Sequence, residues 1–482
     1  MDKQEQDKNS KAKGESTASE KLNIFQKLKV RSAERDEQIE NIMQATGWDK
    51  SKTKAELRKA LTKGIKAHQY LNRHWYDLND SELTEAGRYI RMLADQEKEE
   101  EQFYIDQAVR KSGWTRAEVI ADMDRLQPFG IGRQKYVQRG CWMMDEDTIH
   151  EFANSSLKRV NNRVKRNRKN YISKVSKITG WSYGKTDLEI LKAKVNCGAS
   201  YEDYYVFKFY EMTPEEQKEY VTLNDFVRMR LTYNDCFMAA KPFNEKDQFN
   251  EIFSDLIQRK WFVNRDITFE EFLQKIDGLD ALLVKHIAAT QGIGISKYEL
   301  GPDVDKRELY DKLMNDKRCI VEQYIVQHEE VAKFCPTSVN TVRVTTLNYK
   351  GECKFLYSVF RMGRGAVVDN FHAGGIAASV DVETGTVITD AADLEGNTFA
   401  LHPYSNEMIK GFQIPHWDIV KEICEKATGR LENFNLIGWD FAITPDGVEL
   451  IEGNPGASYV VAQIPNIADR IGLKKVMIEP YL

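Results

Sequence analysis

The 482-residue chain is long enough for two or three domains and a sizeable core, and its 41% hydrophobic and 30% charged residues suit a soluble globular protein. A net charge of -5 argues against a protein built around bulk nucleic-acid binding, and no apolar run approaches the length that spans a bilayer. Seven cysteines without a CxxC pair and eight scattered histidines give no zinc pattern, so reduced, mostly buried thiols in a cytoplasm are expected.

Residues 1–22 are polar, have nothing to bury and read as a disordered tail. Residues 23–235 carry apolar side chains at helical spacing, as in Ile39, Ile42, Met43 and then Leu57, Ala60, Leu61. Gly47-Trp48, Gly113-Trp114 and Gly180-Trp181 recur at offsets of 66 and 67 residues. Each Trp is followed, 22 or 23 residues later, by a tyrosine in a related setting: Tyr70, Tyr136 and Tyr204. The spacing predicts an all-α region of three helical repeats, with units near 35–100, 101–168 and 169–235. Each Gly would end a helix, and each Trp would anchor the next turn against a neighbour. Such stacked units offer a recognition surface for a protein or polymer partner, or simply a cap that supports the other half. Residues 158–174 hold eight Lys or Arg and no acid, which suits an anionic polymer, a membrane surface or a plain solvated helix face.

From 236 to 482 the pattern turns to short β-rich segments separated by turns at Asn348-Tyr349-Lys350-Gly351, Glu383-Thr384-Gly385 and Pro445-Asp446-Gly447. An antiparallel sheet flanked by helices follows, and with it an α+β fold. A three-residue loop at 445–447 pairs Thr444 with Val448, which sets Asp440 opposite Glu452 and leaves Asn454 on the same face. Opposed acids destabilise a hairpin unless a cation neutralises them, and two carboxylates with an amide oxygen suit Mg²⁺. Two solvent-facing acids at a hairpin end are the plainer alternative.

Upstream pieces supply the rest of a nucleotide pocket. Ala281–Lys285 reads as a buried strand ending in a lysine, followed by Gly292-Ile293-Gly294, where backbone N–H groups approach phosphate closely. Ile320–Ile325 is a short strand with Glu322 and Gln323 inserted, able to offer backbone groups to an adenine edge. Asn340, Arg343 and Arg361 lie at the ends of two strands, where arginine clamps phosphate or carboxylate, or pairs with a surface acid. Asn370–Gly375 is a polar, glycine-bearing loop.

These segments, in this order, resemble the ATP-grasp superfamily, and more closely its sugar-transfer-associated branch, over residues 200–475. PTSVNTVRVTTL, DNFHAGGIAASVDVETG and GWDFAITPDGVELIEGNPG are the most specific pieces. The resemblance implies ATP and Mg²⁺ as cofactors. It places Lys285, and less firmly Lys246, on the phosphates, with Gly292 and Gly294 in a mobile loop above them. Glu322, Gln323 and Ile325 would form the adenine hinge, and Asp440, Glu452 and Asn454 would bind Mg²⁺. Asn340, Arg343 and Arg361 would face the transferred phosphate or the acid substrate. His286 departs from the pattern, since many relatives carry proline there, and the helical repeat lies largely outside it.

Enzymes of this superfamily activate a carboxylate as an acyl phosphate for attack by an amine. The expectation is therefore a cytoplasmic carbon–nitrogen ligase joining a small or polymer-linked carboxylate to a nucleophile, in cell-envelope polysaccharide or secondary-metabolite synthesis. A kinase acting on a hydroxyl, and a non-catalytic, nucleotide-sensitive scaffold, are the alternatives.

Overall fold

A computed structural model describes residues 24–287, 295–365 and 374–482, with the backbone alone for 24–33, 35 and 154–165. The Gly292, Gly294 and Asn370–His372 assignments, and the first half of the basic run, fall outside the described side chains. The chain forms two compact units: Met1–Gln96 with Ile172–Lys192, and Glu97–Tyr171 with Ala193–Leu482.

The helical residues show one element order three times, with one added 3₁₀ turn, Gln127–Phe129, in the second. A helix (Lys50–Thr62, Arg116–Leu126, Tyr183–Cys197) leads to a short helix (Ala67–Asn72, Arg133–Arg139, Tyr201–Val206). A single 3₁₀ turn follows (Trp75–Asp77, Cys141–Met143, Phe209–Glu211), then a further helix starting at Asp80, Glu146 or Pro214. Gly47, Gly113 and Gly180 each take φ near the left-handed minimum, at 71°, 73° and 73°, where a side chain is strained, and each donates its N–H to the carbonyl four residues back. Asp49 and Thr115 then accept from the third residue on to start the next helix.

The tryptophans do not anchor these turns. Trp114 is 38% exposed, and Trp48 and Trp181 are half-buried beneath Lys52 and Lys185, four residues on, with the ammonium 4.7 and 5.6 Å from the ring centre. The tyrosine of each unit is buried instead: Tyr70, Tyr136 and Tyr204 are 0–2% exposed.

Two antiparallel sheets lie in the second unit. The smaller has strand order β1-β4-β2-β3, from β1 (Trp261–Val263), β2 (Ala281–His286), β3 (Ile295–Glu299) and β4 (Cys319–Gln323). The larger has order β11-β10-β5-β6-β7-β8-β9, from β5 (Thr341–Tyr349), β6 (Glu352–Met362), β7 (Ile376–Val380), β8 (Ala391–Ala392), β9 (Thr398–Phe399), β10 (Leu436–Thr444) and β11 (Gly447–Asn454). This is the expected α+β arrangement. Lys350 and Gly351, both at positive φ, close the β5–β6 hairpin. The Glu383–Gly385 turn leads only to isolated bridges such as Val380↔Val387, without a paired strand of its own.

Alternation divides each sheet into a greasy face and a polar one. Val342, Val344, Phe360, Ile437, Trp439 and Phe441 fill the core of the larger sheet, and Phe262, Leu282, Val284 and Val321 that of the smaller. Helical residues brace the larger sheet. Asn234 bonds both backbone groups of Leu436 and the carbonyl of Pro455, clamping the start of β10 to the segment after β11. Asp203, fully buried, accepts the Tyr459 hydroxyl at 2.6 Å. Of the seven cysteines, all free, six are buried and Cys353 is half-buried.

Candidate functional site

The hairpin of β10 and β11 does set Asp440 opposite Glu452, by a different count from the expected one. Its tip is a two-residue turn, Pro445-Asp446, with Thr444 facing Gly447. That ladder runs as far as Phe441↔Leu450, and then Ile451 bulges out, so Asp440 meets Glu452 and Gly438 meets Asn454. The shorter turn and the bulge each shift the register by one, and the two shifts cancel.

Across three adjacent strands, Glu452, Asp440 and Arg343 stand in one row on the polar face of the larger sheet. Arg343 holds Asp440 with Nε and Nη2, at 2.6 Å to each carboxylate oxygen, and Arg361 on β6 adds an Nη1 contact at 3.1 Å. The counter-charge expected from a metal is thus already supplied by two guanidiniums. Burial opposes ionisation of Asp440, which is 2% exposed, but the two arginines outweigh it and hold its carboxyl down at about 2. Glu452 behaves oppositely. Loss of hydration among its packed neighbours, then repulsion from Asp440, raise its carboxyl above the usual range, although solvent still reaches the side chain. Asn454 donates its amide N–H to Glu452 at 2.9 Å.

The smaller sheet and a helix beside its β2 strand supply the lysines. Leu283 pairs with Glu322, and Lys285 with Ile320, so Lys285 and Glu322 share a face diagonally. Their ion pair is 2.6 Å long and almost wholly buried. Lys246 opens the helix Lys246–Ile252 and donates to the carbonyls of His286 and Ile287 at 3.3 and 3.2 Å, at the end of β2. Burial lowers its pKa; Glu452 pulls the other way and Lys285 adds to the lowering.

Arg259 stands out only in the structure. It is 6% exposed, and its guanidinium reaches Glu322 on β4 and Glu449 on β11, so it joins the two sheets. Burial works against the Glu322 charge, but Arg259 and Lys285 outweigh it and keep the carboxyl well below its usual range.

One expected role changes. Asn340 is fully buried and its amide is spent on Gln327, the carbonyls of Val331 and Cys335, and the N–H of Gly363, which removes it from any substrate-contacting set. The Glu322 side chain is taken up by Lys285 and Arg259, which leaves its backbone groups as the ones able to meet an adenine edge. Gln323 accepts from Lys260 N–H, and Ile325 lies past the end of β4, half-buried beside Val326, which is 63% exposed.

Five cations (Lys246, Arg259, Lys285, Arg343, Arg361) therefore face four carboxylates (Glu322, Asp440, Glu449, Glu452). The surplus is positive, which suits a polyanion. Among the described residues, no group of three or more His, Cys, Asp or Glu gathers at metal-binding spacing. Asp440, Glu452 and the Asn454 amide nevertheless form a hard-oxygen donor set, and the Asp440 repulsion that adds to the effect of burial on the Glu452 carboxyl is what a divalent cation relieves.

Residues 302–477 match the family described as sugar-transfer associated ATP-grasp. The matched segment contains Glu322, Arg343, Arg361, Asp440, Glu452 and Asn454, whereas Lys246, Arg259 and Lys285 precede it. Similar solved structures include D-alanyl-alanine synthetase A from Vibrio cholerae, at 10% identity, 50% of this chain, 66% of that chain and a TM-score of 0.32. D-alanine–D-alanine ligase from Bacillus anthracis follows at 13% identity, 50% of this chain, 67% of that chain and a TM-score of 0.29. The ATP-grasp ligase PsnB with minimal precursor gives 12% identity, 49% of this chain, 63% of that chain and a TM-score of 0.28. The chain thus spans less than two thirds of the Vibrio protein and of PsnB. No curated protein sequence matches it. Among the described residues, no helix is long and apolar enough to cross a membrane.

Proposed function

We propose that the chain is an ATP- and Mg²⁺-dependent ligase that activates a carboxylate as an acyl phosphate for attack by an amine or related nucleophile. One observation carries this reading: the row Glu452–Asp440–Arg343, in a segment matched to the ATP-grasp family, lies beside Lys285 near the end of β2 and Lys246 on the helix next to it. In this reading residues 236–482 are the catalytic module and residues 23–235 a helical module that precedes it.

Lys285 and Lys246 bind the triphosphate, whose negative charge the net positive pocket offsets. Asp440, Glu452 and Asn454 hold Mg²⁺, which when bound neutralises phosphate charge and orients the transferred group. Arg343 and Arg361 swing part of their hydrogen bonding from Asp440 to the phosphoryl group or to the acid substrate, since a guanidinium fork fits either. Gln323 and Ile325 flank the adenine. No side-chain nucleophile is required, because the substrate carboxylate attacks the γ-phosphorus and expels ADP, and the amine then attacks the acyl carbon, expelling inorganic phosphate and giving up a proton. Envelope-polysaccharide or secondary-metabolite precursors in the cytoplasm are the proposed setting, consistent with the family description.

ADP release measured across panels of acids and amines tests the reading. Release that needs both an acid and an amine, with an amide product, supports it. Intact ATP throughout, or a phosphorylated hydroxyl without an amide, contradicts it.

A further inference from the structure

We infer that Arg259 is a positioning residue that sets the phosphate-binding and metal-binding ends of the site together; this rests on the ligase reading above. On one side its Nε and Nη2 donate to Glu322 at 2.9 and 2.7 Å, and Glu322 in turn pins Lys285. On the other side Nη1 donates to Glu449 and to the Leu450 carbonyl, both at 2.6 Å, and Nη2 reaches the Ile451 carbonyl at 3.4 Å.

Ile451 is the bulge. Continued without it, the ladder from Phe441↔Leu450 would pair Asp440 with Ile451 and turn Glu452 to the opposite face of the sheet. The two carbonyls that Arg259 holds are those at which the register slips. Its other carboxylate partner belongs to the separate, smaller sheet. One guanidinium therefore fixes where Lys285 stands and which way Glu452 faces.

A purely structural tie between the sheets has a cheaper solution. Apolar side chains of similar volume join two layers without desolvating three charges. They cannot hold two carbonyls and two carboxylates in a fixed plane, which a planar five-donor fork does. The arrangement is one in which geometry, rather than stability, is gained.

The full-length chain carrying Arg259→Lys tests this. Lysine keeps the charge and loses the fork, so it reaches one partner set at a time. Three quantities are measured: thermal unfolding, ADP affinity without metal by calorimetry, and Mn²⁺ affinity with ADP present by electron paramagnetic resonance. The expected result is a cooperatively folded variant in which both affinities fall by about tenfold, the scale of supporting-residue effects on metal sites. A folded variant with either affinity unchanged, whatever its melting temperature, overturns the inference. Should Arg259→Lys not fold, Glu449→Gln loosens the bulge side alone. Weaker Mn²⁺ binding with unchanged metal-free ADP binding then supports the inference, and unchanged Mn²⁺ binding overturns it. A wild-type chain that binds no ADP overturns the ligase reading, and this inference with it; normal ADP and Mn²⁺ binding in both wild type and variant overturns the inference alone.

Discussion

Arg343 grips Asp440 through two parallel contacts of 2.6 Å, so the acid that would bind a metal is already neutralised from the neighbouring strand. A bare divalent cation must compete with two guanidiniums for that carboxylate. In the proposed reading, a nucleotide offers the guanidiniums phosphate oxygens instead and frees the acid. Metal and nucleotide should therefore bind with positive coupling. Mn²⁺ affinity is expected to rise by about tenfold or more when ADP is present, within the usual range of coupling free energies. Equal Mn²⁺ affinity with and without ADP, measured by paramagnetic resonance, argues against this exchange.

Glu322 should act on stability through charge. Its carboxyl is held well below the usual range by Arg259 and Lys285, so its contribution is present above its unfolded pKa of about 4.3 and is lost as pH falls through the lowered folded value. Glu322→Gln leaves buried cations short of a partner and should cost about 3 kcal/mol at neutral pH. The gap to wild type should stay full down to about pH 5 and narrow only below about pH 4. Urea unfolding of both proteins over that range checks the sign. A gap that instead widens toward acid contradicts the assignment.

How far the sequence carries such readings depends on the range of the interaction involved. The α+β order and the place of the last hairpin turn follow from local alternation and turn residues. The exact tip and the bulge at Ile451 do not, and the Asp440–Glu452 pair is reached only because a turn one residue shorter than expected and that bulge offset each other. The bulge is held by a guanidinium 192 residues earlier, and nothing between Pro445 and Asn454 announces it. Arg259 itself sits in an unremarkable Gln-Arg-Lys-Trp stretch. Asn340 has the polar character of a site residue, but its four partners bury it. The repeated Trp is the most conspicuous letter of each helical unit, whereas the less conspicuous Tyr is the one packed inside.

That last contrast is testable within one helical unit. Tyr136 is fully buried and donates its hydroxyl to Asp122 at 2.7 Å, whereas Trp114 is 38% exposed. Tyr136→Ala should cost about 3–5 kcal/mol, the range for deleting a buried aromatic ring. Trp114→Ala should stay within about 1 kcal/mol. Equal losses in chemical denaturation would return the anchoring role to the tryptophan.

Gly453 separates Glu452 from Asn454, and a Cβ there would lie 2.9 Å from the rings of both Phe243 and Trp439. The backbone of the two candidate ligands therefore lies close against the aromatic core. Gly453→Val should destabilise by about 1–3 kcal/mol, as overpacking does, and weaken Mn²⁺ binding as the strand is pushed outward. A variant as stable as wild type in thermal unfolding contradicts the close packing.

The central claim is that the two acids paired across β10 and β11 receive a magnesium-bound nucleotide. A crystal structure of the full chain with Mg²⁺ and a non-hydrolysable ATP analogue tests it most directly. The predicted result is a cation about 2.1 Å from oxygens of Asp440, Glu452 and Asn454, with Lys285 turned from Glu322 toward the phosphates. Nucleotide bound elsewhere, with Asp440 still held by Arg343 and Arg361, would contradict the account.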